Sequence, residues 1–314
     1  DDNILNLSND RTVKLRYDTT NEYAVGDCYD YSTAASANCG QGATPVRLEY
    51  LKNLWDAGIQ LWNRDITIAA NKRKIYTTIN GTGFLAGNFS RDADNGDSDN
   101  SSTLRPYFNF TTTDDDGDGY KDDDLDRDGS VNDADANILI RYIHGEDFAS
   151  YTWMRTRTVA VDLNGDLDTS DTVDGISESE KVWKLGDVLN STPKISSWIQ
   201  LNTYDSVYSD TTYREFLNSA NYTGRGMVFT GANDGMLHAF KLGELGLPNS
   251  SHTAGCTFGS SEKACLTGTD LGKEIWAFIP KNVLPYLNYL KETLYFHIYT
   301  VDLTPYIFDA SIGA

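Results

Sequence analysis

The sequence predicts a mainly β protein with some α-helix, in which a partial β-propeller follows an α+β region. From about residue 155 onward, short runs of β-branched and aromatic residues recur between Gly, Asp and Asn, as in sandwiches, barrels and propellers. Before that point, apolar residues at helical spacing, short β-like runs and an Asp-rich loop leading into a helix indicate an α+β region. These observations divide the chain near residues 145–155.

The charge of the chain limits its partners. Its 314 residues include 26 Lys and Arg against 46 Asp and Glu, which gives a formal net charge of −20. A surface this acidic repels nucleic-acid phosphates and anionic membranes, so nucleic-acid binding is excluded. No apolar run reaches the roughly 18 residues of a membrane-spanning helix. The chain opens with Asp1 and no signal peptide, so we interpret it as a mature or truncated product.

The four cysteines form two local couples, Cys28 with Cys39 and Cys256 with Cys265. Neither couple has the Cys-x-x-Cys spacing of metal or redox sites. We predict two disulfide-closed loops in an exported protein, each stabilising the fold by about 2–3 kcal/mol. The alternative is four reduced, buried thiols in a cytosolic protein.

Residues 1–110 are predicted to form a mixed α/β region that includes the first cysteine loop. A helix is expected to begin at Pro45, because Pro suits the first helical position and apolar residues follow at helical spacing as far as Trp62. Residues 86–123, rich in Asn, Asp, Ser and Gly, are predicted to be loop. The other predicted elements are strands at 13–17, 66–68 and 74–79 and an Asn-Gly turn at 80–81.

Residues 111–150 contain the ligand pattern of a twelve-residue calcium loop followed by a helix. Such loops place oxygen ligands at positions 1, 3, 5, 7, 9 and 12 and a glycine, here Gly129, at position 6. An Asp instead of the standard Glu at position 12 resembles the loops of dockerin modules. The predicted Ca²⁺ ligands are Asp124, Asp126, Asp128, the Ser130 carbonyl, Asn132 (through water) and Asp135.

The alternative interpretation of this segment is a solvated acidic turn. Against it, the six oxygens and the glycine stand at the correct positions, and carboxylates this dense repel one another without a cation. We therefore predict that residues 114–145 fold only with calcium. The helix is expected to span 134–144 and to end at Gly145 in the left-handed conformation.

A second-tier cation site is predicted just upstream, where the first half of the pattern recurs. Position 12 would be Leu125, so Asp122 or Asp123 would close this site, or it would share ions with its neighbour. Its candidate ligands are Asp114, Asp116, Asp118, Tyr120 and Asp122.

A third, weaker candidate follows the helix and lacks the glycine at position 6. An ordinary Asn-Gly turn between strands is the alternative. The candidate ligands are Asp162, Asn164, Asp166 and Asp168.

Residues 151–314 are predicted to form a propeller-like region. Propellers need typically four to eight blades, and this segment is long enough for two or three, so we interpret it as an incomplete ring and a fragment. The predicted elements are strands at 158–161, 182–185, 227–230, 236–240, 275–279 and 295–301 and a short helix at 282–290.

The sequence contains no recognisable catalytic motif. It has no nucleophile elbow, zinc-protease motif, phosphate loop or dinucleotide fingerprint. No histidine has a metal-ligand partner at helical spacing, and a structural role is predicted for each. We therefore predict that the chain is not an enzyme. The histidines are His144, His238, His252 and His297.

Several motifs resemble the PilY family of type IV pilus tip-associated biogenesis and adhesin proteins, over residues 44–310. The segment GANDGMLHAF at 231–240, preceded by MVFT, resembles a blade of the family's propeller. WKLGDVLNSTP at 183–193 resembles the segment that opens that propeller. Supporting motifs stand in the family's order: LWDAG at 54–58, RKIYT at 73–77, YREF at 213–216, KEIWAFIP at 273–280, and HIYTVD at 297–302.

The resemblance implies a calcium-binding protein of the pilus tip or bacterial cell surface. Such a protein would contact minor pilins and a host or abiotic surface, and would support pilus assembly, the balance of extension and retraction, adhesion and twitching motility. The family's long N-terminal adhesive region and an Arg-Gly-Asp sequence are not visible. The alternatives are a quinoprotein-like propeller dehydrogenase, whose blades have a similar motif, and a calcium-dependent extracellular binding module unrelated to pili. A dockerin is disfavoured because only one loop-helix unit is complete.

Overall fold

The computed structural model describes residues 3–39, 45–51, 53–79, 89 and 100–312. It is 23% strand and 20% helix, which confirms a mainly β class with some helix. The described residues form no closed barrel or propeller. The turn predicted at 80–81 lies outside them.

Most of the strands and helices are short. The strands are β1 (Ile4–Asn6), β2 (Arg11–Asp18), β3 (Tyr23–Asp30), β4 (Val46–Arg47), β5 (Ile75–Thr77), β6 (Thr158–Val159), β7 (Thr172–Val173), β8 (Ile176–Ser177), β9 (Lys181–Val182), β10 (Lys194–Ser196), β11 (Met227–Ala232), β12 (Met236–Lys241), β13 (Glu244–Gly246), β14 (Glu262–Thr267) and β15 (Glu274–Ile279). The α-helices are α1 (Ala57–Asn63), α2 (Ser101–Leu104), α3 (Asp133–His144), α4 (Tyr204–Val207), α5 (Thr211–Leu217) and α6 (Ala220–Thr223), and the longest 3₁₀ helix is Lys281–Lys291.

The central sheet has the order β10-β11-β12-β15-β5. Its first four strands are antiparallel neighbours, and β5 joins β15 in parallel. The predicted hairpin is confirmed: β11 and β12 pair as far as Ala232 and Met236, and Gly235 supplies the positive φ of 89° that the turn needs. The predicted third strand, β15, is also confirmed.

Both predicted disulfides are present. Cys28–Cys39 ties the end of β3 to the loop after it, in the sheet β2-β3-β4. Cys256–Cys265 ties β14 to the preceding loop, in the sheet β1-β14-β13. The remaining pairs, β6 with β9 and β7 with β8, are two-stranded.

One hydrophobic core joins the Asp-rich segment to the central sheet. Helix α3 buries Leu139 and Ile140 completely, and they belong to the same cluster as Ala277 and Ile279 of β15 and Leu284 of the 3₁₀ helix. Residues of all three predicted segments contribute to this cluster. The calcium-loop candidate is therefore attached to the main core through its helix.

Several predicted elements are corrected by long-range pairing. The helix expected from Pro45 begins only at Ala57, because Val46 pairs with Gly26 in a sheet and Asp56 caps the later helix by accepting from Ile59 N at 2.9 Å. The strand expected at 66–68 is a turn, and residues 101–107, expected as loop, are helical.

The strand expected at 295–301 is also absent. This segment belongs to no sheet in the part of the chain that the structure describes, and Phe296 and Tyr299 are exposed. Apolar alternation predicts a strand only where another strand can accept its backbone hydrogen bonds. The strand predicted at 158–161 is confirmed in shorter form as β6, whereas β9 ends at Val182 and residues 183–185 of the second predicted strand are not paired as a strand.

Replacing Gly145 with alanine is expected to lower the free energy of unfolding by more than the same change at Gly175. Gly145 ends α3 with φ of 114°, and an added Cβ would lie 2.7 Å from Lys184 Cδ. Lys184 is buried and its Nζ donates to Trp62 O, so it cannot move freely. The backbone strain alone costs about 1–2 kcal/mol.

Urea unfolding of both variants measures the difference. Gly175 also has a positive φ, 82°, but nothing lies within 4 Å of its added Cβ, so it reports strain without the contact. Equal losses in the two variants would contradict the predicted contact with Lys184.

Candidate metal centre

The calcium-loop candidate is held by buried groups at both of its ends. Leu125, at position 2, is buried in the core, and its carbonyl accepts from Trp153 Nε1 at 3.1 Å. At the other end, Asn132 caps α3: its side chain accepts from Ala134 N, and Asp135 accepts from Asn132 N to complete a capping box. The loop between them therefore has fixed ends.

Three predicted ligands converge inside this loop. Asp124, Asp126 and Asp128 each place one carboxylate oxygen within 4.8 Å of the others. Oxygens on opposite sides of a Ca²⁺ ion bound at about 2.4 Å would be about 4.8 Å apart, so the separation suits this ion. Asp124 is held by the N–H groups of Asp128 and Gly129, at 3.0 and 2.7 Å.

The other three predicted ligands lie differently. Asp135 is fully buried and stands outside that group of three; its oxygens accept from the N–H groups of Leu125 and Asn132, both at 2.6 Å. The Ser130 carbonyl accepts from Asn132 Nδ2 at 3.2 Å. The structure thus brings Asp124, Asp126 and Asp128 together, whereas Asp135 closes the loop through its hydrogen bonds with Leu125 N and Asn132 N.

The electrostatics of the loop favour a bound cation. Burial raises the pKa of Asp126, and the nearby carboxylates of Asp128 and Asp124 raise it further. Burial also raises the pKa of Asp135, against the lowering effect of its backbone donors. A cation among these oxygens would stabilise their charged forms.

The second-tier site is assembled around Asp122. Asp114, Asp116 and Asp122 form an exposed group with one oxygen each within 4.8 Å. Asp122 therefore closes this cluster, whereas Asp123 is buried and accepts from Asn288 Nδ2 at 2.6 Å, with Lys291 Nζ 3.3 Å away.

Arg127 removes Asp118 from that cluster. Its Nη2 lies 2.6 Å from Asp118 Oδ2, and its guanidinium stacks over the rings of Tyr120 and Trp153, at 4.4 and 3.9 Å from their centroids. The same arginine is at position 4 of the first loop, so it joins the two loops and neutralises part of their charge.

All three Asp-rich loops have left-handed φ angles at the same two positions. Positions 4 and 6 have positive φ in each of them: Arg127 and Gly129 in the first loop, Gly117 and Gly119 in the second, and Gly165 and Leu167 in the third. Leu167, with φ of 69°, adopts the conformation that glycine usually supplies at position 6. The third loop therefore keeps a positive φ at position 6 although it lacks the glycine.

The sequence pattern missed two acids beside the third loop. Asp162 accepts from Gly165 N and Leu167 N, at 2.6 and 3.0 Å, but no three carboxylates in this part of the described chain, those of Asp171 and Glu178 included, lie as close together as in the first two loops. Instead Glu178, outside the pattern, accepts from Leu163 N, and Asp171 accepts from Asn164 Nδ2 at 3.4 Å. The only signal in the sequence is the lack of an acid at position 12, where Val173 stands.

His238 is part of a buried charge network. Its ring is fully buried, with Nδ1 2.7 Å from Glu274 Oε1 and Nε2 3.1 Å from Asp234 Oδ2. Both nitrogens are therefore engaged by carboxylates inside the protein.

Sequence comparison relates part of the chain to a pilus protein. The chain is 31% identical over 133 residues to the type IV pilus biogenesis factor PilY1 homolog of Xylella fastidiosa. The aligned segment covers 40% of this chain and 7% of that relative. No family model matches the chain, and no solved structure matches it. The similarity supports a PilY1-related family and suggests a type IV pilus-related role.

The disulfides and the similarity to the PilY1 homolog bear on the location of the protein. The two disulfides, together with the PilY1-like similarity, are consistent with an extracellular or surface location. Among the described residues, no helix is long and apolar enough to cross a membrane.

Proposed function

We propose that this chain is part of a calcium-binding protein of the type IV pilus tip. In this role it would contact minor pilins, support pilus assembly and surface adhesion, and bias the balance of extension and retraction that drives twitching motility. The observation that carries the pilus role is the 31% identity to the PilY1 homolog over 133 residues. The disulfides support export to the cell surface.

Calcium would act by stiffening the Asp-rich loops. Support comes from the converging oxygens of Asp124, Asp126 and Asp128 and from the attachment of their loop to α3 and the core. An ion in this loop would couple calcium concentration to the rigidity of a segment that packs on the central sheet.

We further propose that the central sheet is one blade of a propeller and that the role is binding rather than catalysis. A propeller blade is a four-stranded sheet, and the antiparallel strands β10-β11-β12-β15 have this arrangement. Strand β5 adds a fifth, parallel strand at the edge. Both nitrogens of His238 are engaged inside the core, so this histidine is not available to a substrate.

Mass spectrometry of the sheared extracellular filament fraction tests the pilus role. We expect this chain to co-purify with minor pilins and to be depleted from the filaments after treatment with a calcium chelator. Add-back of Ca²⁺, compared with Mg²⁺, controls for a general effect of divalent ions.

Recovery of the chain only as a soluble species free of pilins would contradict the pilus role. Retention in the filaments after chelation would support the pilus role and contradict its calcium dependence. The calcium chemistry itself is tested separately on the isolated protein.

A further inference from the structure

The third Asp-rich loop is closed by a residue that lies far outside its sequence pattern. In the first loop, Asp135 at position 12 accepts from the N–H of Leu125 at position 2. In the third loop, Glu178 accepts from the N–H of Leu163, which is also at position 2. Glu178 thus occupies the structural place of the twelfth residue although it is the seventeenth.

The residues between Asp171 and Glu178 form a hairpin. Strands β7 and β8 pair from Thr172 to Ser177, and at the open end of this hairpin Glu178 N donates to Asp171 O at 3.2 Å. The hairpin therefore leaves the loop after Asp171 and returns the chain at Glu178, next to the loop's start. Val161 N, which donates to Glu178 O at 3.1 Å, fixes that return.

Two carboxylate oxygens beside this loop are buried without a donor. Glu178 is fully buried, and its Oε2 has no hydrogen-bond partner among the described residues. Asp171 Oδ1 is also buried and, within the same part of the chain, unpartnered. Unpaired buried carboxylate oxygens are costly, and a bound ion is one of the few arrangements that satisfies them.

We propose that these groups form a separate calcium site, a split loop in which Asp162, Asn164, Asp166, Asp171 and Glu178 supply the oxygens. The donors are hard oxygens on a loop whose positions 4 and 6 already have the calcium-loop conformation. The inference rests on the calcium chemistry of the proposed function but on none of the residues of the first loop. It assigns the β7–β8 hairpin the role of carrying the last ligand back to the site.

Calcium titration calorimetry of the whole chain tests this site, with Glu178→Gln as the variant. We expect Glu178→Gln to bind one calcium equivalent fewer than the unmodified chain. Glu180→Gln is the matched control, because Glu180 is an exposed acid two residues further on and should leave the stoichiometry unchanged. Asp124→Asn should remove a different equivalent, so that loss of either site is distinguished from loss of the other.

An unchanged stoichiometry in Glu178→Gln would overturn the proposal. The same is true if Glu178→Gln is more stable than the unmodified chain both with and without calcium, because the neighbouring carboxyl groups of Glu178 and Asp171 would then share a proton and bind no ion. If Glu178→Gln does not fold, Asp166→Asn tests the same site from an exposed position. Failure of the pilus role would appear only in the filament experiment.

Discussion

Replacing Glu274 with glutamine is expected to lower the free energy of unfolding by about 3–5 kcal/mol, because it leaves a buried arginine without its counter-charge. Glu274 Oε2 and Oε1 lie 2.8 Å from Arg73 Nε and Nη2, a bidentate pair. Arg73 and Glu274 are each only 2% exposed. Neither partner can be solvated when the other is lost.

The network extends to a histidine, which gives it a pH dependence. Burial alone would lower the pKa of His238, but Asp234 and Glu274 outweigh burial and raise the pKa to about 9. Burial alone would raise the pKa of Glu274, but Arg73 and His238 hold it well below its ordinary value of 4.5.

The directions of these pKa shifts define the pH range in which the free energy of unfolding is highest. The contribution of His238 is fully present below its ordinary pKa of 6.5 and is lost as pH rises through about 9. The contribution of Glu274 is present above 4.5 and is lost as pH falls below that value. From these groups, unfolding free energy should be highest between about pH 4.5 and 6.5 and should fall toward pH 10.

Denaturant unfolding at pH 6, 8 and 10 measures both effects. The control is Asp27→Asn, which breaks the Arg16–Asp27 pair at the surface, where the interaction is screened by solvent and a far smaller loss is expected. A Glu274→Gln variant no less stable than Asp27→Asn would contradict the prediction, as would a flat pH profile above pH 7.

Calcium is expected to raise the free energy of unfolding by about 2.7 kcal/mol at a concentration 100 times the dissociation constant of the first loop. Asp124→Asn should remove the first loop's share of the calcium response, because Asp124 contributes an oxygen to the converging group and also orients the loop through Asp128 N and Gly129 N. Thermal melting with Ca²⁺ and with chelator measures the difference.

Asp115→Asn is the matched control for this measurement. Asp115 is an exposed acid in the same Asp-rich segment and belongs to neither converging group. It should keep the full calcium response. An Asp124→Asn variant with the response of the unmodified chain would show that the first loop does not bind the ion.

The sequence alone determined the features that depend on local spacing. The hairpin of β11 and β12, helix α3 with its left-handed end at Gly145, and both disulfides follow from turn residues, periodicity and close cysteines. The Asp-x-Asp-x-Asp spacing likewise brings Asp124, Asp126 and Asp128 together, because a tight loop directs alternate side chains to one side.

Only the tertiary structure decided the features that depend on distant partners. Val46 joins a sheet instead of starting a helix because Gly26 offers it backbone hydrogen bonds, and residues 295–301 lack such a partner among the described residues. Asp118 pairs with Arg127 and leaves the second cluster. Glu178 reaches the third loop because a hairpin folds back, and since no local pattern encodes that return, the sequence could not reveal it.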